Sequence, residues 1–205
     1  MKKFRFAILG AGHIARQFCD AVSRIDGCEV CAVASKSLAR AENFAKENGV
    51  ESYYDDYETL LEKERADCAY IAVTTNDHYR LSVLCVNHSV PVLCEKAMFQ
   101  NSEEAKNLYA LASEKKIFVM EALWSRYLPA VQQVKRWVEQ EKIGKPTVLQ
   151  CNIGFLAPDE KENRYFNPKL GGGAAKDITV YAYEITTFIL NQAIKNISVS
   201  ATWSD

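Results

Sequence analysis

Along the first 122 residues, short apolar runs alternate with stretches whose apolar side chains return at helical spacing. The runs predict strands near 4–9, 29–34, 51–53, 68–73, 91–94 and 117–120. The intervening periodicity predicts helices near 13–25, 37–48, 56–64, 78–88 and 102–115. Asn101-Ser102-Glu103-Glu104 supports one helix start, with a polar cap followed by acids that favour the positive end of the helix dipole. Asp56-Tyr57-Glu58-Thr59-Leu60-Leu61 opens another in the same way. Strands alternating with helices imply an α/β fold, a doubly wound parallel sheet with helices on both faces. Ligands in that architecture collect at the carboxyl ends of strands, so the loops after residues 9, 34, 73 and 94 are where chemistry is expected.

Beyond residue 122 the pattern changes. An aromatic-rich helix at about 125–140 leads through Gly144-Lys145-Pro146 to an expected strand near 147–156. A polar loop, Gly171-Gly172-Gly173, a helix near 174–191 and a last strand at 197–203 follow. That last segment places Ile197, Val199, Ala201 and Trp203 on one face and Ser198, Ser200, Thr202 and Ser204 on the other. The chain thus divides into 1–122 and an incomplete α+β domain with an open sheet, 123–205. Two strands and two helices make a poor independent domain, so the sheet is expected to continue beyond residue 205 or to be completed by a partner.

Composition narrows the class. The chain has 205 residues, 48% hydrophobic and 25% charged, enough for a well-buried core. A net charge of -1 gives no electrostatic case for nucleic acid or an anionic membrane. The start, MKKFRFAILGAG, is basic and then apolar, but glycines cut the run and no cleavage pattern follows, so it reads as a first strand. No stretch approaches the length of a membrane span. Cys19, Cys28, Cys31, Cys68, Cys85, Cys94 and Cys151 show no CxxC pair and no metal-ligand spacing. They predict free thiols, a reducing, cytoplasmic setting and no metal site.

Candidate chemistry begins at Gly10-Ala11-Gly12-His13-Ile14-Ala15, directly after the first strand. Gly10 can turn where other residues cannot, Gly12 lets the backbone approach a pyrophosphate, and Ala15 lets the helix pack close to the strand. The helix start, at His13 and Ile14, then offers unpaired N–H groups to phosphates. The second strand ends in Ala34-Ser35-Lys36-Ser37, where an NAD-binding chain usually carries an acid for the adenosine ribose. Without that acid, Ser35, Lys36 and Arg40 favour the 2′-phosphate of NADP, with NAD as the lesser possibility.

Five ordered segments carry a family likeness: the glycine turn, Thr74-Thr75-Asn76-Asp77-His78, Val92-Leu93-Cys94-Glu95-Lys96, Met120-Glu121-Ala122-Leu123-Trp124-Ser125-Arg126, and Gly171-Gly172-Gly173-Ala174-Ala175-Lys176-Asp177-Ile178-Thr179-Val180-Tyr181. In this order they resemble the Gfo/Idh/MocA oxidoreductases, nearest the branch of dimeric dihydrodiol dehydrogenase and NADP-dependent D-xylose dehydrogenase. The resemblance implies a Rossmann domain, a second domain whose open sheet often forms a homodimer interface, and reversible hydride transfer between nicotinamide and a carbinol carbon of a sugar, cyclitol or diol. Glu95 and Lys96 match the family's Glu-Lys-Pro signature, with Ala97 in the proline's place, and Asp177 and Tyr181 match its Asp-x-x-x-Tyr pair. It also implies that Thr74, Asn76 and His78, in the loop after the fourth strand, lie at the nicotinamide end, and that Trp124 and Arg126 shape the substrate end.

Residues four apart on one helix share a face, so Asp177 and Tyr181 are expected to act together. Oxidising an alcohol requires a base for the hydroxyl proton. A tyrosine, with an ordinary pKa of about 10, needs a nearby ammonium to serve near neutrality. Tyr181 is therefore expected to be the acid/base, Lys96 its electrostatic partner, and Asp177 the group that orients the substrate hydroxyl. The competing expectation is a regulatory or truncated family member that binds nucleotide without turnover.

Overall fold

The structure, a computed structural model, describes residues 2–158 and 163–201. Six parallel strands, β1 (Phe4–Leu9), β2 (Cys28–Ala34), β3 (Ser52–Tyr54), β4 (Cys68–Ile71), β5 (Val92–Cys94) and β6 (Val119–Glu121), form one sheet in the order β3-β2-β1-β4-β5-β6. Helices α1 (His13–Ser23), α2 (Leu38–Asn48), α3 (Tyr57–Lys63), α4 (Thr75–Asn87) and α5 (Ser102–Lys115) connect them. The expected α/β, Rossmann-like architecture is the observed one.

Strand alternation explains why two cores form. Ala7 and Leu9, Ala32 and Ala34, and Ala69 and Ile71 point to one face, where Leu60, Leu81, Cys85 and Leu108 cover them. Ile8, Val33 and Tyr70 point to the other and pack with Ala15, Cys19, Phe44 and Ala45. Side-chain caps start three helices: Ser37 accepts from the Arg40 N–H, Asp56 from that of Thr59, and Asn101 from those of Glu103 and Glu104.

Packing divides the chain into two compact units, the first holding the described residues through Ala122 together with those of Ala157–Asp177. The second holds Leu123–Leu156 and the described residues from Ile178 onward. In the first, packing requires glycine at Gly171 and Gly172. Gly171 has φ +82°, and a Cβ there would lie 2.7 Å from the Thr75 Cβ.

The second unit departs from expectation. A 3-10 turn, Trp124–Tyr127, precedes α6 (Pro129–Glu139) in place of one helix over 125–140, because Pro129 forces Leu128 to be extended and then opens a helix of its own. The helix expected at 174–191 is two, α7 (Ala174–Asp177) and α8 (Thr179–Leu190), with Ile178 between them. No strand is seen over 147–156, nor over 197–201 of the expected last strand. A strand is stabilised by a ladder with a neighbour, and neither segment has one among the described residues. Thr202, Trp203 and Ser204 lie outside the described residues. Among the described residues no helix is long and apolar enough to cross a membrane, and all seven cysteines are free.

Candidate active site

The carboxyl ends of the strands in the first unit gather most of the expected residues. Gly10 follows β1 with φ +112°, and a Cβ there would lie 2.6 Å from the Ala72 carbonyl oxygen, so only glycine fits. Gly12 caps α1 with no side-chain hydrogen bond, and no acid occupies the first turn. A Cβ on Gly12 would come no nearer than 3.9 Å to any neighbour. The backbone there is open, and the N–H groups of the helix start, at exposed His13 and Ile14, could take an anion with no carboxylate of that turn competing. Ser35 is buried after β2, and Lys36 and Arg40 are exposed beside it.

Across β1, Thr74 caps α4 without a side-chain bond, and the Asn76 Oδ1 is buried with no hydrogen-bond partner. An orphaned buried acceptor at a strand end is a place where a ligand hydroxyl or amide would be satisfied. The helix begins at Thr75, earlier than the expected 78, so His78 lies within α4 and not in a loop. It is 1% exposed, with Nδ1 2.9 Å from the Ala97 carbonyl and Nε2 3.1 Å from that of Val73. Burial holds its pKa below the ordinary value, against the two carbonyls. His78 therefore tethers the segment that carries Lys96.

Lys96 follows β5, and its Nζ donates to Asp177 Oδ1 and to the Asp177 carbonyl oxygen, both at 2.8 Å. The side chains are 13% and 8% exposed, so this pair is largely dry, with Arg164 as a second cation 3.6 Å from Asp177 Oδ1. Glu95 beside it accepts from the Tyr70 hydroxyl at 2.6 Å and from the Lys96 N–H at 3.2 Å. Burial raises the Glu95 carboxyl above its ordinary pKa. The Lys96–Ala97 peptide is cis.

In the second unit the Trp124 indole donates to the Tyr181 hydroxyl at 2.9 Å, the rings meeting edge to face at 5.9 Å. Arg126 Nε donates to Glu184 Oε2 at 2.8 Å, and the Ser125 hydroxyl donates to Oε1. Glu184 is 1% exposed, so the guanidinium is held by a carboxylate removed from water. Asp177 and Tyr181 occupy different helices, and the expectation of one shared helical face does not hold.

Residues 4–123 match a family model described as GFO_IDH_MocA, an oxidoreductase family with an NAD-binding Rossmann fold. The chain belongs to the Gfo/Idh/MocA family. Residues 131–205 match the family's C-terminal domain. The chain is 31% identical over 189 residues to trans-1,2-dihydrobenzene-1,2-diol dehydrogenase of Danio rerio, covering 91% of this chain and 56% of that protein. It is 33% identical over 187 residues to the Mus musculus protein of the same name, covering 90% and 56%. The chain thus spans just over half the length of these curated relatives. Among solved structures, an NAD-binding protein from Listeria innocua superposes with a TM-score of 0.78 at 24% identity, covering 92% of this chain and 55% of that one. That likeness speaks for the fold.

Several participants escape a reading of the sequence. Asp77 pairs with Lys36 and Arg164 with Asp177 across separations that no local pattern marks, and Arg80 joins Asp77 from within α4. Glu184 had a visible signal: it is the lone charge in TVYAYEITTFIL, and a charge inside an apolar helix implies a buried partner.

Proposed function

We propose that this member of the family is an NADP-preferring dehydrogenase that moves hydride between nicotinamide and a carbinol carbon of a sugar, cyclitol or diol. The observation that carries this reading is the largely buried Lys96 ammonium, held by Asp177 at the carboxyl end of β5 in a sheet whose first turn is open to a pyrophosphate. The residues present fit such a cofactor: Gly10 and Gly12 with the start of α1 for the pyrophosphate, Ser35, Lys36 and Arg40 for a 2′-phosphate, and Thr74, Asn76 and Glu95 toward the nicotinamide end, with buried His78 acting there only through the segment it tethers. When bound, the cofactor supplies the hydride acceptor or donor.

The chain's own residues then handle the proton. Tyr181 takes the hydroxyl proton during oxidation and returns it during reduction, and the Trp124 N–H on its oxygen lessens the cost of the phenolate. Lys96 supplies the ammonium that stabilises negative charge on the substrate oxygen, and Asp177 keeps that ammonium in one place. Arg126, fixed by Glu184, and Trp124 orient the polyol. The relatives named as diol dehydrogenases support the substrate class.

The test is to titrate the purified protein with NADPH and NADH and then to screen polyols and aldoses for change in nicotinamide absorbance. NADPH is expected to bind at least about tenfold more tightly, as suits a contact that a 2′-phosphate makes and a hydroxyl does not. Tight NADPH binding with no turnover on any of them would leave the nucleotide-binding reading in place of the enzyme.

A further inference from the structure

Because β1 lies between β2 and β4, the carboxyl ends of those two strands flank the Gly10–Gly12 turn. Lys36 follows β2 and Asp77 belongs to the first turn of α4, after β4. Their side chains meet across that gap, Nζ donating to Oδ2 at 2.6 Å. Arg80, nearly one turn along α4, donates from Nε to the other carboxylate oxygen at 3.3 Å. Both oxygens of Asp77 are therefore held by cations. Tyr57, buried at the start of α3, is near enough to Lys36, Asp77, Arg80 and Arg40 for their charges to act on its hydroxyl. Two cations thus hold one carboxylate next to the segment of Ser35 and Lys36. Burial pushes the Asp77 carboxyl up, and Lys36 and Arg80 outweigh that and hold it below the ordinary range, so it is charged near neutrality.

A carboxylate among such cations treats the two dinucleotides differently. It repels a 2′-phosphate and competes with it for the same donors, while a 2′-hydroxyl leaves the existing pairs intact. We propose that Asp77 is the residue that moderates the cofactor preference of this chain: an arriving 2′-phosphate takes Lys36 and Arg80 from it, whereas NAD does not. The proposal rests on the reading that Ser35, Lys36 and Arg40 receive the 2′-phosphate, and it adds Asp77 and Arg80 to that end of the site. Lys36 is 69% exposed at its side chain and Asp77 only 15%, so the lysine is the mobile member and the carboxylate the fixed one.

The experiment is a fluorescence titration of wild type, Asp77→Asn and Lys36→Met with NADPH and, separately, NADH. Asp77→Asn is expected to tighten NADPH about fivefold and to change NADH less than about twofold, the scale of one exposed charge pair. Lys36→Met is expected to weaken NADPH about tenfold and spare NADH, and Asp77→Asn in that background should help NADPH less than it does alone. Weaker NADPH binding in Asp77→Asn, or an equal shift of both dinucleotides, overturns the proposal. Should Asp77→Asn not fold, Asp77→Ser keeps a polar residue in the helix's first turn and gives the same expected selective gain. A wild type that holds NADH more tightly than NADPH defeats the underlying preference, and it is read from a different protein than the one that tests Asp77.

Discussion

Two lysine–aspartate pairs cap the same sheet, one after β5 and one bridging the ends of β2 and β4, and they differ in contact with water far more than in length. Lys96 and Asp177 meet at 2.8 Å with side chains 13% and 8% exposed, and Lys36 and Asp77 meet at 2.6 Å with 69% and 15%. The first ammonium is bound twice by Asp177, through carboxylate and carbonyl, where little water is at hand to replace either bond. The second trades its partner for solvent or for an incoming anion at small cost. A pair meant to hold a charge still belongs in the dry place, and a pair meant to be exchanged belongs in the wet one.

Removing Lys96 is the largest blow to this contrast. Lys96→Met should lower the unfolding free energy by about 3 kcal/mol or more in urea denaturation, because a buried carboxylate loses its nearest cation and Arg164 is left to serve alone. A loss under about 1 kcal/mol would mean that the inner pair is as wet as the outer one.

His78, the neutral tether of the Lys96 segment, gives a smaller effect that depends on pH. Its native pKa is below the ordinary 6.5 because burial disfavours the imidazolium. Between the two values the unfolded chain binds more protons, so stability is full above about pH 6.5 and drains as pH falls through the native value. His78→Gln should flatten this acid limb in thermal melts taken from pH 7.5 to 5. An unchanged limb would place the titration elsewhere.

The smallest change belongs to the outer pair. Lys36→Met should cost under about 1 kcal/mol in the same urea assay, and salt should erase even that. If Lys36→Met costs as much as Lys96→Met, the distinction between the two pairs fails.

Local chemistry made the first unit legible. Apolar runs such as Phe4–Leu9 and caps such as Asn101 act within a few residues, and so the strands, their order of appearance and the nucleotide turn could be read directly. The two charge pairs could not be, since 41 residues separate Lys36 from Asp77 and 81 separate Lys96 from Asp177. In the second unit, alternation over 197–203 suggested a strand, yet alternation only prepares a surface and a ladder needs a neighbour. The break at Ile178 is marked by little more than three β-branched residues in succession, Ile178, Thr179 and Val180, and it moved Asp177 and Tyr181 onto separate helices. His78 was expected in a loop and lies within α4, because Thr74 starts the helix without a side-chain cap to mark it.

The most direct test of the central claim is the kinetics of Tyr181→Phe beside a titration of the same variant with NADPH. Turnover of a polyol accepted by wild type should fall by at least about a hundredfold, the scale of a lost general acid/base, while the NADPH dissociation constant stays within about twofold. Equal losses of turnover and of cofactor affinity would make the tyrosine structural and contradict the account.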